Sequence, residues 1–263
     1  MSPRYIDAHC HVQFEQYDSD RDVLVERMRE ESVAGIVVGC DAESSLKAVA
    51  LAEAHTHLYA SAGHHPNHTE LFDESAIRAA LSSPRTVAIG ECGLDYFRPH
   101  EVNEEVKAHQ KELFRKHLAL AKEFDKPLII HARPSKGTVD AYQDLIELLA
   151  EAKESCPNLR GDIHFFVGGM EEAQKLIGLG FAVSFTAVIT FARDYDEVIK
   201  ALPLESILAE TDSPYVAPVS RRGERNDPLS VINVVEKIAE IRQEDPETVR
   251  QTLLTSAQRL FGL

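Results

Sequence analysis

The chain lacks tryptophan, has only three methionines and four cysteines, and carries far fewer basic than acidic residues. With 28 lysines and arginines against 43 aspartates and glutamates, its formal charge is -15, which argues against binding nucleic acid through the whole surface. A few arginines or a bound cation can still reverse the field locally, where a phosphate would lie. The composition therefore excludes a generally basic nucleic-acid-binding protein and leaves open an enzyme that acts on phosphates.

The four cysteines (Cys10, Cys40, Cys92 and Cys156) are scattered, without the paired spacing of a cysteine-based zinc site. In a reducing compartment such residues are usually buried small apolar groups or free thiols. No apolar run approaches the roughly 18 residues that a membrane span needs. The first residues also lack the apolar stretch of a signal peptide. We therefore expect a cytoplasmic protein without a membrane partner.

Short apolar runs alternate with amphipathic segments along all 263 residues. The runs predict strands near 4–7, 35–39, 58–62, 87–90, 127–131, 161–164, 181–185 and 206–210. Helices are predicted near 20–33, 43–55, 73–82, 102–124, 137–155, 169–178, 192–201, 228–242 and 246–261. Such alternation is typical of a parallel sheet, and eight repeats in a chain of about this size indicate a (β/α)8 TIM-type barrel. We expect a single barrel domain over residues 1–263.

Two histidines, His9 and His11, lie two residues apart at the end of the first predicted strand. In a strand, residues i and i+2 project to the same face, so both imidazoles could reach one metal ion. A His-x-His pair is common by chance and is a weak signal when it stands alone. It gains weight because other ionisable residues recur in the same context.

Side chains that can bind a metal ion end or follow four other predicted strands. They are Glu91, His131, His164 and Asp212. Active sites of (β/α)8 barrels lie at the carboxyl ends of the strands, so these residues and the histidine pair would collect on one rim. Taken singly, each is more often a hydrogen-bonded rim residue, and Asp212 could simply cap a turn. All six on one face of one barrel indicate a metal centre.

This mixed nitrogen and oxygen set suits magnesium, manganese, iron or zinc and does not choose among them. Six ligands exceed the need of one open catalytic site but fit two divalent ions about 3.5–4 Å apart. We assign the first ion to His9, His11, Glu91 and Asp212, and the second to Glu91, His131 and His164. Glu91 would bridge the ions, and Asp212 could accept the proton of a water activated between them.

Several motifs of the chain resemble those of the TatD family of metal-dependent deoxyribonucleases, within the wider amidohydrolase-type barrels. They are Ile6-Asp-Ala-His-Cys-His11, Gly63-His-His-Pro66, Gly90-Glu-Cys-Gly-Leu-Asp95, Ile130-His-Ala-Arg133, His164-Phe-Phe-Val-Gly168, Glu210-Thr-Asp-Ser-Pro-Tyr215 and Arg225-Asn-Asp-Pro228. The match runs nearly end to end, and the family's metal positions fall on the six residues assigned above. The resemblance implies hydrolysis of phosphodiester bonds in DNA, often as a 3′-to-5′ exonuclease on single-stranded ends.

Four further residues are candidates for substrate binding. His65 could bind a phosphate oxygen or support the loop beside Pro66, and Arg133, two residues after His131, could neutralise a phosphate. Arg225 belongs to a basic run after the eighth strand, although charge runs are usually solvated. Tyr96 is one of several aromatic residues near the ligands on which a base could stack, although such residues more often complete a core.

Three hypotheses for the function remain open. The first is a two-metal deoxyribonuclease. The second is a two-metal hydrolase of a small-molecule amide or lactone, or of the ester of a mischarged D-aminoacyl-tRNA. Many binuclear barrels of that kind bridge their ions with a carboxylated lysine from strand 4 or 5, and the absence of such a lysine here favours the first hypothesis. The third is a metal-dependent partner-binding protein, which is disfavoured because ligands normally close a structural metal site.

Overall fold

Strands and helices alternate through the part of the chain that the computed structural model describes, residues 2–68, 71–98 and 102–263. The strands are β1 (Tyr5–Cys10), β2 (Val33–Val38), β3 (Leu58–Ala62), β4 (Thr86–Asp95), β5 (Leu128–Arg133), β6 (Gly161–His164), β7 (Ala182–Phe185) and β8 (Ile207–Ala209). The helices are α1 (Arg21–Glu30), α2 (Ala42–Ala54), α3 (Glu74–Leu81), α4 (Glu104–Phe124), α5 (Asp140–Ser155), α6 (Met170–Gly178), α7 (Asp196–Ala201), α8 (Val231–Arg242) and α9 (Pro246–Phe261).

The eight strands form one parallel sheet whose order follows the chain from β1 to β8. The sheet closes where β1 meets the segment just after β8. There the Asp212 N–H donates to the His9 carbonyl at 2.9 Å, and the His11 N–H donates to the Ser213 carbonyl at 2.8 Å. The predicted (β/α)8 barrel is confirmed, and its closing hydrogen bonds join residues that were predicted to bind metal.

The buried side chain of Asp7 also joins β1 to the segment after β8. Asp7 is fully buried, and it accepts hydrogen bonds from the Thr211 backbone N–H at 2.9 Å and from the Thr211 hydroxyl at 2.6 Å. The His9 N–H donates to the same carboxylate at 3.2 Å. Since buried polar groups cost free energy unless they are paired, these bonds hold β1 and the end of β8 in one arrangement.

Three strands extend further than the sequence pattern predicts: β5 by two residues, to Arg133, and β1 and β4 by more. β1 continues to Cys10 instead of ending at residue 7, and β4 continues to Asp95 instead of ending at residue 90. The cause is pairing with the neighbouring strand: Cys10 lies opposite Val37 of β2, and Asp95 lies opposite Arg133 of β5. Each ladder contains a register shift before these pairs. His9 and Glu91 therefore lie within strands and not just after them.

The start of several helices is set by a side chain that caps the first turn. Asp41, Asn103 and Asp245 accept hydrogen bonds from backbone N–H groups three residues ahead, at 2.7, 2.9 and 2.9 Å. Three helices begin three or four residues later than predicted, at residue 140 instead of 137, 196 instead of 192 and 231 instead of 228, because 3-10 turns or loops precede them. In the described ranges, no helix is both long enough and apolar enough to cross a bilayer.

Both faces of the barrel wall are buried, as expected of a parallel sheet covered by helices. All six residues of β2 are buried, for example. At one end, α9 covers the barrel: Arg250 donates to the Arg4 carbonyl just before β1, and Ser256 donates to the Glu205 carbonyl just before β8. Because these contacts lie at the amino ends of the strands, the carboxyl ends stay open for a site.

Gly90 lies at a position where only glycine fits. Its φ of 147° is one that side-chain-bearing residues rarely adopt, and a Cβ there would overlap the backbone oxygen of Ile129. We expect Gly90→Ala to lower the free energy of unfolding by about 2–5 kcal/mol, measured by denaturant titration. Gly178→Ala at the end of α6 is the control, because its new Cβ meets no described atom within 4 Å. Equal stability of the two variants would contradict the prediction.

Candidate metal centre

A cavity of about 600 Å³ opens at the carboxyl ends of the strands. Five of the six predicted metal ligands line it: His11, Glu91, His131, His164 and Asp212. The sixth, His9, is fully buried, and its ring stacks on that of His164 with centroids 3.9 Å apart. The structure therefore brings together all six residues that strand-end reasoning selected.

Glu91 lies at the centre of this group and divides its two oxygens between two pairs of histidines. Oε1 is 3.0 Å from His131 Nδ1 and 3.0 Å from His164 Nε2. Oε2 is 3.6 Å from His9 Nε2 and 4.0 Å from His11 Nε2. One carboxylate thus faces two sets of nitrogen donors at once, which is the geometry required of a bridging ligand.

The first set converges on a point beside Asp212. The His9 and His11 Nε2 atoms are 3.1 Å apart, and Asp212 Oδ1 is 3.9 Å and 3.5 Å from them, respectively. His11 Nδ1 lies 2.8 Å from the Val38 carbonyl. This contact places the proton of the neutral ring on Nδ1 and directs the lone pair of Nε2 into the centre. Two such nitrogens with carboxylate oxygens form a donor set that fits a divalent cation.

The second set is oriented by Asp95. The Oδ2 atom of this residue lies 3.0 Å from His131 Nε2, and Oδ1 accepts hydrogen bonds from the backbone N–H groups of Phe97 and Arg98, both at 2.9 Å. With Nε2 held as the donor to Asp95, Nδ1 is the ring nitrogen that faces Glu91 Oε1 and would bind a cation after losing its proton. This carboxylate–histidine arrangement typically fixes the ring orientation of a metal ligand.

Glu210 lies behind the His164 ring, but the geometry does not form a hydrogen bond to the His164 Nδ1 atom. The His164 Nδ1 atom is 3.4 Å from Glu210 Oε1, an oxygen that also accepts the Phe165 N–H at 2.7 Å. The other oxygen of Glu210 accepts the Ser184 hydroxyl at 2.8 Å. Glu210 is fully buried, and its hydrogen bonds with Phe165 and Ser184 compensate its desolvation and keep its carboxyl group beside the His164 ring.

The electrostatics of the site differ from ligand to ligand. Burial disfavours charge on His131 and His164, but interactions with Glu91 and with Asp95 or Glu210 outweigh it and raise the pKa of both rings, so a cation would displace a proton from each of them. Burial alone would raise the pKa of Glu91, but its interactions with His65, His164 and His131 outweigh it and hold that pKa well below its usual range. Burial and the neighbouring His164 lower the pKa of His9 well below its usual value. Glu91 is therefore an anion and His9 a neutral imidazole, as required for binding a cation.

His65 lies at the edge of this cluster, with Nε2 3.5 Å from Glu91 Oε1. Burial lowers its pKa to about 3, so the ring is neutral near pH 7. Its Nδ1 accepts the Asn67 N–H at 3.1 Å, which leaves the proton on Nε2. His65 thus presents a hydrogen-bond donor to the cavity, an arrangement consistent with the predicted contact to a phosphate oxygen.

Two predicted substrate-binding residues do not line the cavity, and these two predictions are corrected. Tyr96 is buried, and its hydroxyl donates to Asp144 of α5 at 2.8 Å. The reason is strand alternation: once β4 extends to Asp95, the next side chain points to the helix layer. Arg225 is engaged by the Asp20 carboxylate and lies over the Tyr17 ring at 4.5 Å. Arg133, in contrast, does line the cavity.

The structure adds contacts that the strand-end analysis did not assign to the site. Asp95 orients His131, Glu210 lies beside His164, and the Cys40 thiol donates to Glu91 Oε2 at 3.4 Å. A signal for the two carboxylates was present in the spacing. Asp95 lies four residues after Glu91, and Glu210 lies two residues before Asp212, both even intervals that suit one strand face. Cys40 carried no such signal.

A (β/α)8 barrel with clustered histidines and carboxylates on its open rim has the architecture of a metal-dependent hydrolase. Residues 6–262 match the family model described as TatD related DNase, and the chain belongs to this family. It is 36% identical to the Bacillus subtilis protein named uncharacterized metal-dependent hydrolase YabD, over 98% of both chains.

Two other comparisons agree with this assignment. The chain is 32% identical to the 3'-5' ssDNA/RNA exonuclease TatD of Yersinia pseudotuberculosis, over 94% of this chain and 95% of that protein. The crystal structure of YjjV, a TatD homologue from Escherichia coli K12, superposes with a TM-score of 0.88 at 30% identity and covers all of both chains. Fold and family together show a metal-dependent hydrolase.

The support that Asp95 gives to His131 can be tested by Asp95→Asn. Because the amide is uncharged and cannot hold the ring as a carboxylate does, we expect affinity for Mn²⁺ or Zn²⁺ to fall about 10- to 100-fold in calorimetric titration. Asp144→Asn, which changes a carboxylate bonded to Tyr96 outside the cavity, serves as control. Wild-type affinity in Asp95→Asn would refute the orienting role.

Proposed function

We propose that this protein is a deoxyribonuclease that hydrolyses phosphodiester bonds at single-stranded DNA ends, in the 3′-to-5′ direction, with two divalent ions. The observation that carries the proposal is the division of the Glu91 carboxylate, with Oε1 toward His131 and His164 and Oε2 toward His9 and His11. A single ion would leave one of these histidine pairs without a cation. Two ions use every donor of the set.

The ligands would divide as the sequence analysis assigned them. His9, His11 and Asp212 would hold one ion, His131 and His164 the other, and Glu91 both. When bound, such ions supply Lewis-acid activation of water and neutralise charge on the phosphate, and Mg²⁺, Mn²⁺ and Zn²⁺ are all compatible with the donors. Every ligand comes from the carboxyl half of a strand or the segment that follows it, so the barrel wall fixes their spacing.

Other residues of the cavity supply acid–base and binding functions. Asp212 reaches the centre from a backbone held at a φ of 51°, with its N–H bonded to the His9 carbonyl. Its carboxylate is placed to accept the proton of the attacking water. His65 offers a neutral Nε2–H to a phosphate oxygen, and Arg133 offers a guanidinium to the same anion.

Three further observations favour DNA over an amide, a lactone or the ester of a D-aminoacyl-tRNA. The bridging position is taken by Glu91, with no lysine at the ends of β4 or β5. In a chain of net charge -15, the cavity rim still presents Arg98, Arg133 and Lys136, which suits a polyanion. The relative from Yersinia pseudotuberculosis is named as an exonuclease on single-stranded DNA and RNA.

The function is tested with metal-stripped protein and a 3′-labelled single-stranded oligonucleotide, adding back Mg²⁺, Mn²⁺ or Zn²⁺. We expect metal-dependent loss of 3′ nucleotides from the wild type. Glu91→Ala should lose nearly all turnover and bind fewer than two ions per chain, because the bridge is gone. Glu171→Ala, on the exposed side of α6, is the control and should match the wild type. If two ions bind but DNA is not cleaved, the nuclease proposal is overturned, and amides, lactones and aminoacyl esters become the substrates to test.

The role of Asp212 as proton acceptor is tested separately by Asp212→Asn. The amide keeps the size of the side chain but cannot accept a proton, so we expect kcat to fall about 10²- to 10⁴-fold. The melting temperature of the variant should stay within a few degrees of the wild type, since the backbone hydrogen bonds between β1 and the segment after β8 are kept. Full activity in Asp212→Asn would exclude this role.

A further inference from the structure

The cavity rim carries a large apolar ring that the metal centre does not use. Phe97 lines the cavity with 49% of its surface exposed, although phenylalanine is normally buried. Its backbone is not loose, because its N–H donates to Asp95 Oδ1 at 2.9 Å and the preceding strand pairs with β5. The ring is therefore held at the mouth of the site by the same carboxylate that orients His131.

Arg133 lies against one side of this ring, with its guanidinium carbon 4.3 Å from the ring centroid. Most arginines of the chain are paired with carboxylates, but Arg133 has none within 4.0 Å among the described residues. Arg133 is also two residues past His131 on β5 and lines the same cavity. An arginine without a carboxylate partner, stacked on an exposed ring beside a metal centre, combines an anion-binding group with a flat apolar surface.

We propose that Phe97 and Arg133 form a nucleotide subsite, in which a base stacks on Phe97 and the adjoining phosphate pairs with Arg133. The proposal rests on the proposed function and names how that site holds its substrate. Base stacking on aromatic rings tolerates any base sequence, and a guanidinium matches the geometry of a phosphate. A small amide or lactone would use the apolar ring but leave Arg133 without an anion.

The chain contains a matched pair that serves as control. Arg222 lies over the Phe191 ring, also at 4.3 Å, but neither of these residues lines the cavity. The two arginine–phenylalanine pairs thus share their internal geometry and differ in their position relative to the metal centre. A leucine in place of either phenylalanine keeps apolar volume and removes the flat ring.

The experiment compares two oligonucleotides that differ only at the terminal residue, one carrying 2-aminopurine and the other an abasic tetrahydrofuran. Cleavage is followed with wild type, Phe97→Leu, Arg133→Met and Phe191→Leu, each checked for fold and metal content. We expect the wild type to show a KM about tenfold lower for the base-bearing end. Phe97→Leu should lose that preference, Arg133→Met should raise both KM values about tenfold, and Phe191→Leu should behave as the wild type.

A second readout is independent of turnover. Stacking quenches 2-aminopurine fluorescence, so binding of the labelled end to metal-free protein should quench emission with wild type and Phe191→Leu, but not with Phe97→Leu. Cleavage with an unchanged base preference in Phe97→Leu would overturn the subsite while the nuclease stands. Phe97-dependent quenching without cleavage by any metal would support the subsite and overturn the nuclease. If neither Phe97-dependent quenching nor cleavage is seen, the subsite and the nuclease proposals are both overturned.

Discussion

The buried carboxylate of Glu91 is the constraint on which the site depends. A charge in the interior of a protein is costly unless it is paired, and here five histidines surround it within 4.0 Å. The backbone accommodates the group only because Gly90, which precedes it, leaves room for β5. Two of the histidines are in turn restrained from behind, His131 by Asp95 and His11 by the Val38 carbonyl. The other side chains of the site are thus arranged around this one carboxylate.

The hydrogen bonds that close the barrel also bring the candidate metal ligands together. Asp212 is brought to the histidine pair by backbone hydrogen bonds between β1 and the segment after β8, more than two hundred residues away in sequence. Asp7 and Thr211 join the same two segments through side-chain bonds. Since a ligand from each edge of the sheet is needed, an open sheet with these strands could not form this centre. The site therefore forms only in the closed barrel, and metal binding would in turn stabilise that barrel.

Charge is distributed in a way that suits an anionic substrate despite the acidic composition. Most arginines on the outside are paired with nearby carboxylates, as Arg225 is with Asp20. The rim of the cavity keeps Arg98, Arg133 and Lys136. Attraction of a phosphate backbone would thus come from the cavity and its bound ions and not from the surface at large. A net charge of -15 and a nucleic-acid substrate are compatible on these terms.

Local sequence patterns predict the fold class and the six candidate ligands, because apolar runs ending in histidine or carboxylate can be recognised one segment at a time, and a parallel barrel gathers all such ends on one rim. Other features depend on contacts between segments. The length of β4 depends on pairing with β5, so the orienting role of Asp95 and the outward direction of Tyr96 could not be read from the run at 87–90 alone. Arg225 was assigned to the substrate from a basic run, but its partner, Asp20, lies 205 residues earlier. These outcomes depend on contacts between distant segments, which no local pattern of residues records.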